Sequence, residues 1–124
     1  MTVKTLTADD FESTVLTSPI VLVDFWATWC GPCRAFAPVF ERSSQSHPDI
    51  VYAKVDTDAE RELAAAVGIR SVPTIMAFRD GILVYSQPGA MSPAVLDDLI
   101  DQVKGLDMEQ VRAKIAERKA AVKA

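Results

Sequence analysis

The apolar run PIVLVDFWA at residues 19–27 constrains the fold of this chain more than any other segment. It shows no alternation of polar and apolar positions, and its single charged residue is Asp24. Such a strand is typical of a sheet that helices cover on both faces, because neither side of the strand can face water. The run therefore predicts a central strand of an α/β fold, with Asp24 as a charged residue inside a buried segment.

The rest of the chain alternates between strand and helix patterns. A short edge strand at Val3–Leu6 precedes a helix over ADDFESTVL, in which Phe11, Val15 and Leu16 are expected to face the core. The order predicts a mixed central β-sheet flanked by helices on both faces, with one parallel portion and one antiparallel hairpin. The later elements are predicted as helix 31–46, strand 49–56, helix 59–68, strand 74–78, strand 82–87 and helix 93–104.

Composition and charge exclude several classes of function. The chain has 124 residues, which suits one core, and a net charge of −4 with no dominant basic field argues against a nucleic-acid partner. No apolar run approaches the roughly 20 residues that span a bilayer, and the segment MTVKTLTADDFE has no apolar stretch of signal-peptide type. We therefore expect a cytoplasmic protein with no membrane contact. As a separate expectation, we take the protein to be a monomer.

Both cysteines of the chain, Cys30 and Cys33, stand in the motif WCGPC. A closed structural zinc site usually takes four Cys or His ligands, and this chain offers only His47 as a third. A metal site would need carboxylates or a second chain. A structural crosslink is a poor explanation too, since closing so small a ring gains little loop entropy.

Reversible redox chemistry accounts best for the pair. Cys30 precedes a predicted helix and Cys33 lies in its first turn, where unpaired N–H groups and the helix dipole favour a thiolate at Cys30. The i, i+3 spacing brings the two side chains near bridging distance, and Pro32 suits a first turn in which its missing N–H has no partner. Cys30 would attack a substrate disulfide and Cys33 would resolve the mixed disulfide.

The motifs together resemble the thioredoxin family. WCGPC follows VDFWA, and the resemblance continues through FAP, KVDTD, VGIRSVPT, FRDG and GAMS, from about residue 3 to 105. It implies a thioredoxin fold and the reduction of protein disulfides, with recycling by thioredoxin reductase and NADPH. It also implies that no metal and no organic cofactor is required. The Gly-Pro pair between the cysteines favours a protein that reduces disulfides. An oxidase or an isomerase stays as the alternative.

Asp24 and three further residues are expected to support the cysteines. Burial would raise the pKa of Asp24 and let it exchange a proton with Cys33 through water. The alternative is that Asp24 reaches solvent or is paired with a neighbouring side chain. Lys54 matches the lysine that the family places near this aspartate, and the alternative is a strand lysine whose ammonium group reaches solvent. Trp26 either supports the site or only packs in the core. Pro38 is expected to bend the helix that carries the cysteines.

The resemblance also implies a groove for the substrate chain. A cis Val72–Pro73 bond beside the cysteines would free the Val72 backbone to pair with an extended peptide. Pro88 departs from the family pattern, because a small aliphatic residue is more usual before this glycine. The expected groove residues are Trp29, Gly31, Pro32, Val72, Pro73 and Gly89.

The segment 107–124 differs from the thioredoxin-like domain predicted at 1–106. It carries five basic and three acidic residues and a thin apolar stripe of Met108, Val111 and Ile115. We expect an extra C-terminal helix that docks weakly on the domain or frays. The alternative is a thioredoxin-fold binding or chaperone module that uses this helix to hold a partner.

Overall fold

A computed structural model describes residues 2–123, and Met1 and Ala124 lie outside the described residues. The two predicted segments, 1–106 and 107–124, are therefore described only over residues 2–106 and 107–123. The strands are β1 (Val3–Thr5), β2 (Ile20–Trp26), β3 (Val51–Asp56), β4 (Thr74–Arg79) and β5 (Ile82–Pro88). The helices are α1 (Ala8–Thr17), α2 (Gly31–Ser46), α3 (Arg61–Ala66), α4 (Pro93–Lys104) and α5 (Met108–Lys123).

The five strands form one mixed sheet in the order β1-β3-β2-β4-β5. The strand built from the apolar run, β2, lies at the centre, parallel to β3 and antiparallel to β4. A two-residue turn joins β4 to β5, with positive φ angles of 53° at Asp80 and 79° at Gly81. Such angles belong to the hairpin turn whose twist matches the flanking strands, so the predicted antiparallel hairpin is confirmed.

Helices cover both faces of this sheet, as the central strand predicted. The side chains of β2 alternate between two cores, with Leu22 in one and Val23 in the other. The first core holds Phe36 and Phe40 of α2 together with Leu96, Leu99, Ile100 and Val103 of α4. The second core holds Phe11 and Val15 of α1, and the partly buried Leu63 of α3 packs against it.

One residue that was expected in the core is exposed. Leu16 is 61% exposed, whereas Phe11, Thr14 and Val15 of the same helix are buried. Residues 11, 14 and 15 follow the i, i+3, i+4 spacing of one helix face, and residue 16 falls off that stripe. The prediction for Leu16 was therefore wrong, and Thr14 takes the buried position.

Two predicted elements begin two residues later than expected. The helix expected from residue 59 begins at Arg61, because Oδ1 of Asp56 accepts hydrogen bonds from the N–H groups of Asp58 (2.9 Å) and Ala59 (3.2 Å). An aspartate that binds the backbone ahead of it favours a turn over a helix. The strand expected from residue 49 begins at Val51, since the Ile50 N–H is used in a turn with the His47 carbonyl.

The helix α5 docks on the β4–β5 hairpin through its first half. Met108 is buried, and Val111 and Ile115 are half-buried beside β5. A guanidinium nitrogen of Arg112 lies 3.7 Å from a carboxylate oxygen of Asp80. Within residues 2–123, no helix is both long enough and apolar enough to cross a membrane.

Candidate active site

The cysteine pair lies at the N-terminus of α2. Cys30 is the capping residue and Cys33 the third residue of the helix, and their sulfurs form a disulfide with Cα atoms 5.2 Å apart. The Cys33 N–H points at Cys30 Sγ over 3.2 Å. Both residues are nearly buried, with 4% and 3% of their surface exposed. The backbone N–H is placed to stabilise negative charge on Cys30 Sγ once the disulfide opens.

A second loop places its backbone against the disulfide. The Val72–Pro73 bond is cis, and the Val72 carbonyl oxygen lies 3.6 Å from Cys30 Sγ. The Gly89 N–H donates a 2.8 Å hydrogen bond to the Pro73 carbonyl, and Gly89 has a positive φ of 109°. The predicted residues Val72, Pro73 and Gly89 are thus brought together beside Cys30 from distant parts of the chain.

The exposed rim of the site comes from the loop before α2. Trp29 is 68% exposed, and its indole N–H donates a 3.0 Å hydrogen bond to the carboxylate of Asp58. Gly31 and Pro32 are exposed in the first turn of α2. All the residues expected to form the substrate groove therefore lie at this edge, whereas Asp58 was missing from the sequence prediction.

A cleft of about 280 Å³ is lined by both Trp29 and Val72. Its lining includes Ile69, Arg61 and Arg70, none of which was singled out from the sequence. Arg70 could have been found from the sequence, because it stands two residues before the predicted groove residue Val72. Arg61 offered none, because the segment before it had been assigned to a helix rather than to the turn that the structure shows.

Asp24 is a buried carboxylate in the middle of the central strand. It is 4% exposed, and its Oδ1 has no hydrogen-bond partner among residues 2–123. Burial raises the pKa of Asp24 to about 7, and the positive charge of Lys54 opposes that rise. Lys54 stands directly opposite Asp24 in the β2–β3 register.

Lys54 connects Asp24 to the cysteine region. Its ammonium group lies 5.6 Å from the centre of the Trp26 ring, a cation–π distance. Trp26 packs against the buried cluster of Ala27, Cys30 and Cys33. Trp26 therefore contributes packing to the site, and Lys54 does not simply extend into solvent.

Pro38 lies inside α2, which continues past it without a break. It lines a second cleft of about 280 Å³ together with Asp24, Lys54 and Val3. This cleft gives the buried carboxylate a route to solvent on the α2 side of the sheet. Pro38 is thus near Asp24 rather than part of the exposed rim.

The donor set offers little to a metal ion. Within residues 2–123, no group of three or more His, Cys, Asp or Glu side chains is placed to hold one. His47 stands just after the far end of α2 from Cys30. The redox group of the site is the disulfide, which belongs to the chain itself.

Comparisons with known proteins agree with this geometry. The family model described as Thioredoxin matches residues 2–102. A Streptomyces coelicolor protein named "Putative thioredoxin 2" is 50% identical over 115 residues, covering 93% of this chain and 86% of that protein. Thioredoxin 1 of Synechococcus elongatus is 47% identical over 94 residues, covering 74% of this chain and 88% of that protein.

Solved structures give the same result. A mutant thioredoxin from Halobacterium salinarum NRC-1 superposes with a TM-score of 0.79 at 34% identity, covering 85% of this chain and 93% of that one. Matched sequence, matched fold and a disulfide-bonded CXXC pair at a helix N-terminus point the same way. The chain belongs to the thioredoxin family and is a thiol–disulfide oxidoreductase that reduces protein disulfides.

Proposed function

We propose that Cys30 and Cys33 reduce disulfides of other proteins and are returned to the dithiol form by thioredoxin reductase with electrons from NADPH. One observation carries the assignment of roles: the Cys33 N–H meets Cys30 Sγ at 3.2 Å at the start of α2. Of the two sulfurs, Cys30 Sγ receives this hydrogen bond and is the better stabilised thiolate. Cys30 is therefore the nucleophile and Cys33 the resolving cysteine.

The reaction moves two electrons in two exchange steps. The Cys30 thiolate attacks one substrate sulfur, so that a mixed disulfide forms and the other substrate sulfur leaves as a thiolate and takes up a proton. Cys33 then loses its proton and attacks Cys30 Sγ. The second substrate thiolate leaves and is protonated, and the Cys30–Cys33 disulfide remains.

Asp24 is the group that accepts the Cys33 proton in this scheme. Its pKa of about 7 places it near the operating pH, where a general base and a general acid are both available. Transfer would run through water, and the cleft that Asp24 shares with Pro38 brings this carboxylate close to solvent. Lys54 tunes this carboxylate through its charge, and Trp26 holds the apolar wall between Lys54 and the cysteines.

The substrate chain binds as an extended segment across the rim of the site. The Val72 backbone lies beside Cys30, and Gly31, Pro32 and Gly89 leave room for an approaching chain. Trp29 and Pro73 flank this path. Main-chain pairing to Val72 would serve many substrate sequences, because it needs no particular side chain.

The domain and its setting are part of the same proposal. Residues 1–106 form the catalytic domain, and 107–124 form a helical extension beyond the family match, which ends at residue 102. We place the protein in the cytoplasm, where NADPH and a reductase can keep the pair reduced. We propose that it acts as a monomer.

Insulin reduction tests this function. The wild type should turn over insulin disulfides with NADPH and thioredoxin reductase, and Cys30→Ser should abolish turnover. Cys33→Ser should instead accumulate a mixed disulfide that mass spectrometry detects. A parallel assay with dithiothreitol as the electron source tests the exchange chemistry without the reductase.

The two assays separate the alternatives. Turnover with dithiothreitol but not with thioredoxin reductase would contradict the proposed recycling and leave the exchange chemistry intact. No turnover in either assay by folded protein would contradict the reductase function. Biological activity that survives in a Cys30→Ser, Cys33→Ser variant would favour a binding or chaperone module.

A further inference from the structure

The cleft beside Trp29 and Val72 has a charge that stands out on this acidic protein. The chain carries a net charge of −4, yet the charged side chains that line the cleft are Arg61 and Arg70. We propose that these two arginines form a subsite for an acidic side chain of the substrate, so that disulfides flanked by Asp or Glu react faster. This inference rests on the proposed use of the Cys30 face.

The position of the cleft puts it on the path of a substrate chain. Val72 belongs both to the cleft lining and to the immediate surroundings of Cys30, with its carbonyl 3.6 Å from Sγ. Trp29 immediately precedes Cys30 and also lines the cleft. A peptide whose sulfur reaches Cys30 can therefore place a neighbouring residue over this cleft.

The two guanidinium groups are available to such a residue. Among residues 2–123, the ion pairs are Lys104 with Asp49 and Arg112 with Asp80, and neither Arg61 nor Arg70 takes part in one. Both arginines are exposed.

Nearby carboxylates are occupied elsewhere. Asp58 accepts from the Trp29 indole, and Asp56 accepts from the backbone of the turn. Glu60 accepts a 2.8 Å hydrogen bond from the Ala8 N–H at the start of α1. Glu62 is exposed in the first turn of α3 and does not line the cleft. Asp58 therefore lies beside the cleft with its carboxylate bound to the Trp29 indole, and the charged side chains in the lining itself are Arg61 and Arg70.

The chemistry fits a carboxylate on a short apolar stem. A guanidinium group presents a planar set of donors that matches a carboxylate in two parallel hydrogen bonds. Ile69 and Val72 supply apolar surface for the stem. Since the arginines are exposed and screened by salt, we expect an acidic neighbour to raise the rate about 2- to 5-fold over a neutral one.

Three matched peptide disulfides test the subsite. They share one sequence and differ at the residue beside the attacked cysteine, which is Asp, Gln or Lys. The measured quantity is the second-order rate constant for reaction with the reduced protein, from stopped-flow detection of released thiol. The ratio of the Asp rate to the Gln rate reports the subsite independently of overall activity.

The variants are Arg61→Gln, Arg70→Gln and the double variants to Gln and to Glu. Arg42→Gln is the matched control, because Arg42 is an exposed arginine 12 residues along α2 from Cys30, a rise of about 18 Å. The wild type and Arg42→Gln should share the same Asp/Gln ratio. The ratio should fall to about one in the double Gln variant, and the double Glu variant should favour the Lys peptide.

Salt provides a second readout. Raising the ionic strength to about 0.5 M should reduce the wild-type preference, because exposed charges are then screened within a few ångströms. A ratio of one in the wild type, or an unchanged ratio in the double Gln variant, would overturn the subsite while the reductase function stands. Failure of all three peptides to react with the wild type would overturn both proposals.

Discussion

The indole Nε1–H of Trp29 donates a 3.0 Å hydrogen bond to Oδ2 of Asp58, across the gap between the loop before α2 and the turn before α3. Trp29 is 68% exposed, so packing alone does little to hold its ring. Asp58 is in turn placed by the Asp56 carboxylate, which accepts its N–H at 2.9 Å. The orientation of the exposed tryptophan therefore depends on a turn that follows β3.

Asp58→Ala should weaken substrate binding by freeing the Trp29 ring. We expect kcat/KM for insulin reduction to fall about 2- to 5-fold, as loss of one exposed, charge-assisted hydrogen bond implies. Asp58→Asn removes the same charge but keeps an acceptor, so it should stay within about twofold of the wild type. Fluorescence anisotropy in a Trp26→Phe background measures the ring's mobility directly. Equal behaviour of the two variants would assign the effect to charge instead.

Asp24 should make the stability of the oxidised protein fall as pH rises. In the folded state its pKa is raised to about 7 by burial, whereas in the unfolded chain it ionises near 3.8. Between these values the folded protein holds a proton that the unfolded chain has released, so higher pH favours unfolding. The loss across this window should be on the order of 4 kcal/mol, at 1.36 kcal/mol per pKa unit.

Guanidinium unfolding at pH 4 to 8 measures that window. Asp24→Asn cannot ionise, so its stability should change little across the window and exceed that of the wild type above pH 7. Asp107→Asn is a matched control, since Asp107 is an exposed aspartate that caps α5 by accepting from the Glu109 N–H. A wild-type stability that rises between pH 4 and 7 would contradict the assignment of Asp24 as a neutral buried acid.

Lys54→Met should move the titration of Asp24 upward. Lys54 lowers the pKa of Asp24 by its positive charge, and methionine keeps an apolar stem over the Trp26 ring while removing that charge. The pH window of stability loss should therefore extend above pH 7. Lys4→Met serves as control, because Lys4 is exposed on the edge strand β1 and pairs with Ala53 rather than with Asp24. An unchanged window in Lys54→Met would show that Lys54 does not act on this carboxylate.

Local patterns in the sequence predicted the parts of the fold that local chemistry determines. The apolar run around Asp24 identified β2, and the placing of Cys30 before Pro32 identified the start of α2. What the sequence did not predict depends on contacts between distant segments. The Thr57 N–H and hydroxyl both bind the Trp26 carbonyl, at 2.9 and 3.1 Å, and so bring the turn after β3 to the cysteine loop.

That contact explains why Asp58 and Arg61 escaped the sequence analysis. Asp58 ends the KVDTD motif, but the motif does not show that its side chain meets Trp29, and Arg61 stands in no motif. Each residue reaches the site because the end of β3 is tied to the end of β2. The Leu16 error has a local cause, because residue 16 follows Val15 directly and lies off the stripe that residues 11, 14 and 15 form. Predicting a surface cleft of this kind requires the register in which the strands pair, and hydrophobic periodicity alone does not give that register.

Arg79→Met should destabilise the junction between α4 and α5. One guanidinium nitrogen of Arg79 donates to the carbonyl oxygens of Val103, Lys104 and Leu106 at 2.8 to 2.9 Å. These carbonyls lie at and just beyond the end of α4, where a positive charge is also favoured by the helix dipole. We expect a loss of about 1–3 kcal/mol in the free energy of unfolding.

Arg112→Gln gives the matched comparison for Arg79→Met. It removes a largely exposed ion pair with Asp80 at 3.7 Å and should cost no more than about 0.5 kcal/mol. Hydrogen exchange at residues 103–108 localises the effect, with faster exchange expected only in Arg79→Met. Equal destabilisation by both variants would mean that the three carbonyl contacts add nothing beyond surface charge.

Removal of residues 107–124 tests whether the extension belongs to the catalytic domain. The cysteines, Asp24 and the Val72 loop make their contacts outside this segment, so insulin reduction should stay within about twofold of the full chain. The truncated protein should still lose stability, because Met108 is buried against the domain. Deleting a buried methionine side chain costs about 2–5 kcal/mol, so Met108→Ala in the full chain should reproduce most of the loss. Cooperative unfolding with retained activity would establish 1–106 as an independent domain, whereas loss of activity in a folded truncation would place the extension in the active unit.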